Sequence, residues 1–175
     1  MKKIFNNGYT LLFAVITAVL VLSVTSFILG VSRKQYILTS TAKDSNIAFY
    51  NADSGVECAF QGFNENFDLS AGGSFSCNGQ TYAIPAMPIG ETNATTYTWT
   101  PDMASPIAVP FETGCALVKL KQGYLNVGSK QTPLYKIRIL IESYGYNQCS
   151  QSGSTYIPKI SPRTVERAET LMYSP

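Results

Sequence analysis

Twenty-three consecutive residues, Tyr9 to Val31, carry no charge, and this run restricts the possible folds more than any other feature of the chain. As a helix rising ~1.5 Å per residue it covers ~35 Å, enough to cross a ~30 Å hydrocarbon core with some tilt. Lys2-Lys3 stand before it and Arg33-Lys34 after it. The run exceeds the roughly 7 to 15 apolar residues of an ordinary cleaved secretory signal, which is cut after its core beside small residues. Here the natural break, Gly8, lies before the core, so a cut there leaves the hydrophobic helix on the product. Two cations on each flank give no positive-inside bias, and orientation has to be argued from the cysteines.

The 175 residues have room for this segment and one domain of roughly 110 residues. With 14% charged residues and a net charge of +2, the chain has no electrostatic footprint that would by itself recruit nucleic acid or an acidic membrane surface. It has no His, which removes the commonest general base, the His-dependent nucleophile systems and most catalytic zinc sites. The remaining carboxylates show no close pairing of the kind a catalytic dyad requires. The expectation is a non-enzyme without cofactor or metal. Cys58, Cys77, Cys115 and Cys149 are separated by 18, 37 and 33 residues, unlike the close pairs of a zinc site. An even number of cysteines beyond the apolar run points to two disulfides in an exported domain.

The helical pattern outlasts the apolar run. Leu38, Ala42, Ser45, Phe49, Ala52, Val56 and Ala59 follow a 4-3-4-3-4-3 spacing that predicts one stripe on one helix. Lys43, Asp44, Asn46, Asn51, Asp53 and Glu57 lie off it, so this half reads as amphipathic, docked on one side and wetted on the other. Beyond Phe63 the chain turns to short strands. Residues 72–84 predict a hairpin about Asn78-Gly79. Residues 85–110 read as loop with a strand near Tyr97 to Trp99. Cys115 to Gln122 reads as a strand. Tyr135 to Ser143 is the clearest one, with Tyr135, Ile137, Ile139 and Ile141 alternating with Lys136, Arg138, Leu140 and Glu142. A turn is read at Tyr144-Gly145-Tyr146-Asn147, then a Ser/Gly-rich loop, and a last strand in Arg163 to Tyr173, favoured over a short helix. The fold class expected is α+β: a long N-terminal helix, transmembrane in its first half and amphipathic in its second, packed on an antiparallel β-sheet head.

These residues resemble type IV pilins and pseudopilins. Lys2-Lys3 with Asn7-Gly8-Tyr9-Thr10-Leu11-Leu12 looks like a prepilin leader. The stretch Ala48 to Ala59 is similar to the end of the helix in PilX-type minor pilins, and Ser143 to Cys149 and Pro162 to Ala168 resemble segments of the same group. The resemblance covers about the first 60 residues well and the tail loosely. It implies a leader over 1–8, an assembly helix over 9–34, its amphipathic continuation over 35–60 and a β-rich head over 61–175. It further implies cleavage by a prepilin peptidase after Gly8, N-methylation of Tyr9, and passage from the inner membrane into an extracellular filament. The implied partners are other pilin subunits, bound through the N-terminal helix, and the pilus assembly machinery. Gly30 stands near where many major pilins have a helix-weakening Pro, and is read here more as a packing contact. The chain departs from the pattern at the fifth mature position, where most pilins have a Glu and this one has Phe13. That departure favours a minor or tip-proximal subunit over a major one.

The blander reading is an uncleaved, single-pass, membrane-anchored binding domain with Tyr9 as an interfacial aromatic. The four cysteines allow three pairings. Cys58–Cys77, clamping helix end to hairpin, and Cys115–Cys149, across neighbouring strands, are favoured. Asn93-Ala94-Thr95 is a chance-level glycosylation sequon. Trp99, Tyr124, Tyr144 and Tyr146 are weighed as an adhesive aromatic surface, with core or turn packing preferred.

Overall fold

The computed structural model describes residues 7–65, 69–87, 97–100, 103, 105–128, 132, 134–153 and 155–174. The Lys2-Lys3 part of the leader and the Asn93 sequon lie outside them. Helix α1 runs from Asn7 to Glu65. Strands β1 (Gly73–Cys77), β2 (Gln80–Ile84), β3 (Thr98–Trp99), β4 (Ile107–Phe111), β5 (Gly114–Asn126), β6 (Tyr135–Tyr146), β7 (Cys149–Ser152), β8 (Thr155–Pro158) and β9 (Glu166–Tyr173) follow. Every pairing is antiparallel: a β1–β2 hairpin, a β7–β8 hairpin, and a five-stranded sheet ordered β3-β5-β6-β9 with β4 on β5. The long apolar helix and antiparallel sheet make this an α+β chain. Contacts divide it after Ala42.

In the second unit, Lys43–Pro175, the inner face of the sheet carries Ala116, Val118, Leu120, Ile139 and Ile141, all buried. Val56 and Ala59 of α1 close over them, together with Phe75, Ile84 and Met87 from the preceding loops and hairpin. The alternation in β6 places Ile139, Ile141, Ser143 and Gly145 inward and Lys136, Arg138, Leu140 and Glu142 outward, since every second side chain of a strand points to the same face. The hairpin turn is at Asn78-Gly79, with φ of 50° and 74°, the left-handed pair that a two-residue turn between twisted strands requires.

Four sequence readings are corrected. The helix stripe is rotated: Phe49 is 48% exposed and Leu38 69% exposed, whereas Ala48, Asn51 and Gly55 face inward beside Ala52, Val56 and Ala59. Asn51, placed on the wet side by its polarity, is buried. The span 85–110 contains a strand, β4, whose Pro110 is tolerated because, among the described residues, β4 pairs only with β5 and has an edge free of ladder bonds. Residues 144–146 are no turn, as β6 continues to Tyr146 opposite Cys115. The Ser/Gly-rich stretch is itself a hairpin, β7–β8, turning at Gly153 with φ 62°.

Candidate membrane and assembly helix

In the first unit, α1 presents an uncharged, mainly apolar exterior from Tyr9 to Val31. Tyr9, Phe13 and Phe27 are exposed, as are Leu12, Val19, Leu22 and Ile28 from other sides of the helix. One window of α1 reaches a mean hydropathy of 2.6, so by length and composition the helix can cross a membrane. Three residues in this stretch turn their hydroxyls back onto the helix. Thr17 Oγ1 donates to the Phe13 and Ala14 carbonyls (3.0 Å each), Ser23 Oγ to Leu20 (2.8 Å) and Thr25 Oγ1 to Val21 (2.7 Å). A polar group facing hydrocarbon has no water to bond to, so back-bonding to the i−3 or i−4 carbonyl removes most of the penalty of carrying it there.

The predicted site residues fall on this helix as follows. Gly8 and Tyr9 are already helical, within the first turn after its start at Asn7, and Tyr9 is 72% exposed. Phe13 lies in the apolar exterior with no carboxylate in the run around it. Gly30 interrupts nothing: the helix continues through it, and a Cβ there would meet no atom within 4 Å.

The second half of α1 is held to the head by close approach, polar clamping and covalent bonds. A Cβ at Gly145 would overlap the Ala48 carbonyl and the Ala52 backbone nitrogen, and one at Gly55 would overlap the Ser143 hydroxyl. At Gly145 strand backbone thus rests directly on helix backbone, and at Gly55 helix backbone rests on the Ser143, Ala116 and Val118 side chains, approaches that only glycine permits. Asn51 Nδ2 donates to the carbonyl oxygens of Thr113 (2.7 Å) and Tyr146 (2.8 Å), bonding α1 to the β4–β5 turn and to the end of β6. Gly114, at φ 104°, leaves the room for this amide.

Along β9, each inward residue has a partner on α1 or in the core. Arg167 donates to Ser45 Oγ (2.9 and 2.7 Å), Glu169 faces Asp53 and Glu57, Leu171 packs on the core, and the Tyr173 ring meets Phe60 edge-on at 5.0 Å. Ser45 to Phe60 covers ~22 Å of helix and Arg167 to Tyr173 ~20 Å of strand, so the two run in step. Burial and the neighbouring Asp53 and Glu57 carboxylates push the Glu169 carboxyl above its ordinary range. Burial and the bond to Glu166 (2.5 Å) raise the Tyr146 hydroxyl.

Disulfides join Cys58 to Cys77 and Cys115 to Cys149, with Cα–Cα distances of 5.4 and 5.9 Å. Of the three pairings open in the sequence, this is the one present. The first ties the helix end to the β1–β2 hairpin, and the second ties β5 to β7. Of the four aromatics, Tyr124 is buried and donates to the Met87 carbonyl (3.1 Å), Tyr144 lies under Lys119, Tyr146 bonds Glu166, and Trp99 is 37% exposed. They form no common surface.

Sequence reasoning missed Asn51 and Gln122. Gln122 is buried in the sheet, where its Oε1 accepts from the Leu69 N–H (3.0 Å) and its backbone bonds Thr100 on both sides (2.8 and 3.1 Å). A lone amide on an otherwise apolar face was the available signal in both cases. No family model, curated protein or solved structure matches the chain.

Proposed function

We propose that the chain is a non-catalytic structural subunit, minor or tip-proximal, of a type IV pilus-like surface filament. In this reading it is inserted as a single-pass precursor in the inner membrane, cut after Gly8, methylated on Tyr9, and moved into the filament by the assembly machinery. The observation that carries the reading is α1 itself. One continuous helix is apolar on all sides in its first half and, in its second, fixed to a disulfide-linked head by Gly55, Gly145 and Asn51. A helix that needed only to anchor a domain has no use for a Gly at position 8 before its apolar core.

The physical logic of assembly follows. An apolar helix leaves lipid for a bundle of like helices without a hydrophobic gain, so packing between them drives the transfer. A charge buried in such a bundle is destabilising by several kcal/mol unless paired. Phe13 therefore enters the bundle without needing a partner, and forgoes the carboxylate that would pair with a neighbour's terminal amine. A subunit of this kind suits a position with no subunit to be set in register above it.

Intact mass and N-terminal peptide mapping of the protein from envelope and sheared-fibre fractions tests the proposal. The expected mature chain begins with N-methylated Tyr9 and occurs in fibres in small amounts. Met1 on the mature chain would refute it in favour of an uncleaved membrane-anchored domain.

A further inference from the structure

β9 ends at Tyr173, opposite Ile139, whereas β6 begins four residues earlier at Tyr135. Residues 135–138 therefore have β5 on one side and no strand beside them on the other among the described residues. This step in the sheet opens a cleft of about 410 Å³ lined by Tyr97, Tyr135, Lys136, Ile137, Arg138 and Ser174. Its size is that of a small-ligand site.

The chemistry of the lining is specific. The Arg138 guanidinium lies 4.3 Å from the centre of the Tyr97 ring, so one face of its plane is covered and its N–H edges remain for a ligand. Its Nε is enclosed with no hydrogen-bond partner among the described residues, so it is closed to a ligand too, and a ligand must meet the terminal Nη end of the group. Lys136, two residues earlier on β6, points to the same face of the strand. Across the ladder from Arg138 stands Gly123, and a Cβ there would meet the Trp99 ring at 3.1 Å. Trp99 thus lies flat on the strand beside Arg138, with its ring 6.4 Å from that of Tyr97.

We propose that this cleft binds an acidic saccharide of the uronic-acid class. Arg138 and Lys136 hold the carboxylate, and the Tyr97 ring, on the same face of the sheet, meets the sugar. A guanidinium with a covered face binds edge-on and in plane, which matches the planar carboxylate. A phenol ring supplies apolar area with a polar rim, which suits a pyranose. Single-stranded nucleic acid fits less well, because it needs a basic groove tracking several phosphates in succession, and the lining holds two cations. The proposal goes beyond the filament reading and does not depend on it.

Trp99 is the only tryptophan, so its fluorescence reports the site directly. The full chain in detergent micelles is titrated with trigalacturonate, with neutral galactotriose and oligothymidylate as competitors. The expected result is a saturable fluorescence change with trigalacturonate, weakened at least about tenfold in Arg138→Gln, as loss of a charge-assisted hydrogen bond implies. Lys136→Gln, at an exposed position that leaves the fold intact, is expected to weaken it by a smaller factor. Urea unfolding of both variants shows whether the head is unchanged, and Lys136→Gln decides if Arg138→Gln is unstable. Absence of saturation, equal affinity for galactotriose, unaltered affinity in folded variants, or tighter binding of oligothymidylate would each overturn the proposal.

Discussion

Replacing Asn51 by Ala removes a side chain that bonds α1 both to the β4–β5 turn and to the end of β6. Two hydrogen bonds are lost, to Thr113 at 2.7 Å and to Tyr146 at 2.8 Å, each worth about 1 kcal/mol net. The two carbonyls fare differently afterwards. Thr113 is exposed, so its oxygen recovers a water. The Tyr146 oxygen lies against Gly114, where not even a Cβ fits, and stays unmatched at a further penalty of about 1 kcal/mol. The sum is about 2 to 3 kcal/mol. With a urea m-value of about 2 kcal/mol/M for a domain of this size, the midpoint falls by roughly 1 M. The assay is urea unfolding of the full chain in micelles, followed by near-ultraviolet circular dichroism, with disulfides intact. Asn46→Ala, on the same helix but exposed, is the control and should change stability by less than about 0.5 kcal/mol. Equal midpoints for Asn51→Ala and Asn46→Ala would refute the view that buried amide bonding, rather than helix propensity, holds α1 to the head.

Three further outcomes are expected. Gly145→Ala places a methyl against the Ala48 carbonyl and Ala52 nitrogen, and because backbone cannot swing aside it should destabilise the head by about 2 to 3 kcal/mol, measured in the same unfolding assay. Replacing each disulfide by paired Ala should cost about 3 kcal/mol for Cys58–Cys77 and closer to 4 for Cys115–Cys149, because loop-closure entropy grows with separations of 19 and 34 residues; an equal or reversed order in urea midpoints would contradict this. The raised Glu169 carboxyl contributes stability that is fully present below the ordinary value of 4.5 and is lost as pH rises through the higher folded-state value. Glu169→Gln is therefore expected to exceed wild type in stability at pH 7 and to lose that advantage near pH 4, in unfolding curves taken across that interval.

Much of the fold was legible because local rules decided it. The alternation of Ile137, Ile139 and Ile141 located β6, and Asn78-Gly79 located the hairpin turn, since each signal lies within a few residues of the structure it specifies. β4 escaped because Pro110 reads as a strand breaker, and only its place at an edge, a property of the whole sheet, makes Pro acceptable. The helix stripe came out rotated because hydrophobicity ranked Phe49 above Ala48 and Gly55. The sheet selects for closeness instead: at Gly145 and Ser143 there is no room for a ring. Asn51 was misplaced for the related reason that an amide looks wet until two inward carbonyls are found for it.

What the sequence by itself determined is the apolar run from Tyr9 to Val31, the absence of a carboxylate at Phe13, and the alternating strands. These are properties of consecutive residues, and no later contact alters them. Only the tertiary structure decided which face of α1 meets the sheet, which of three cysteine pairings forms, and how the register of β3, β5 and β6 brings Arg138 under Tyr97. Each of these depends on the distance between residues far apart in the chain, down to 2.7 Å between Asn51 and Thr113, and such distances are set only when backbones, turns and packing are satisfied together.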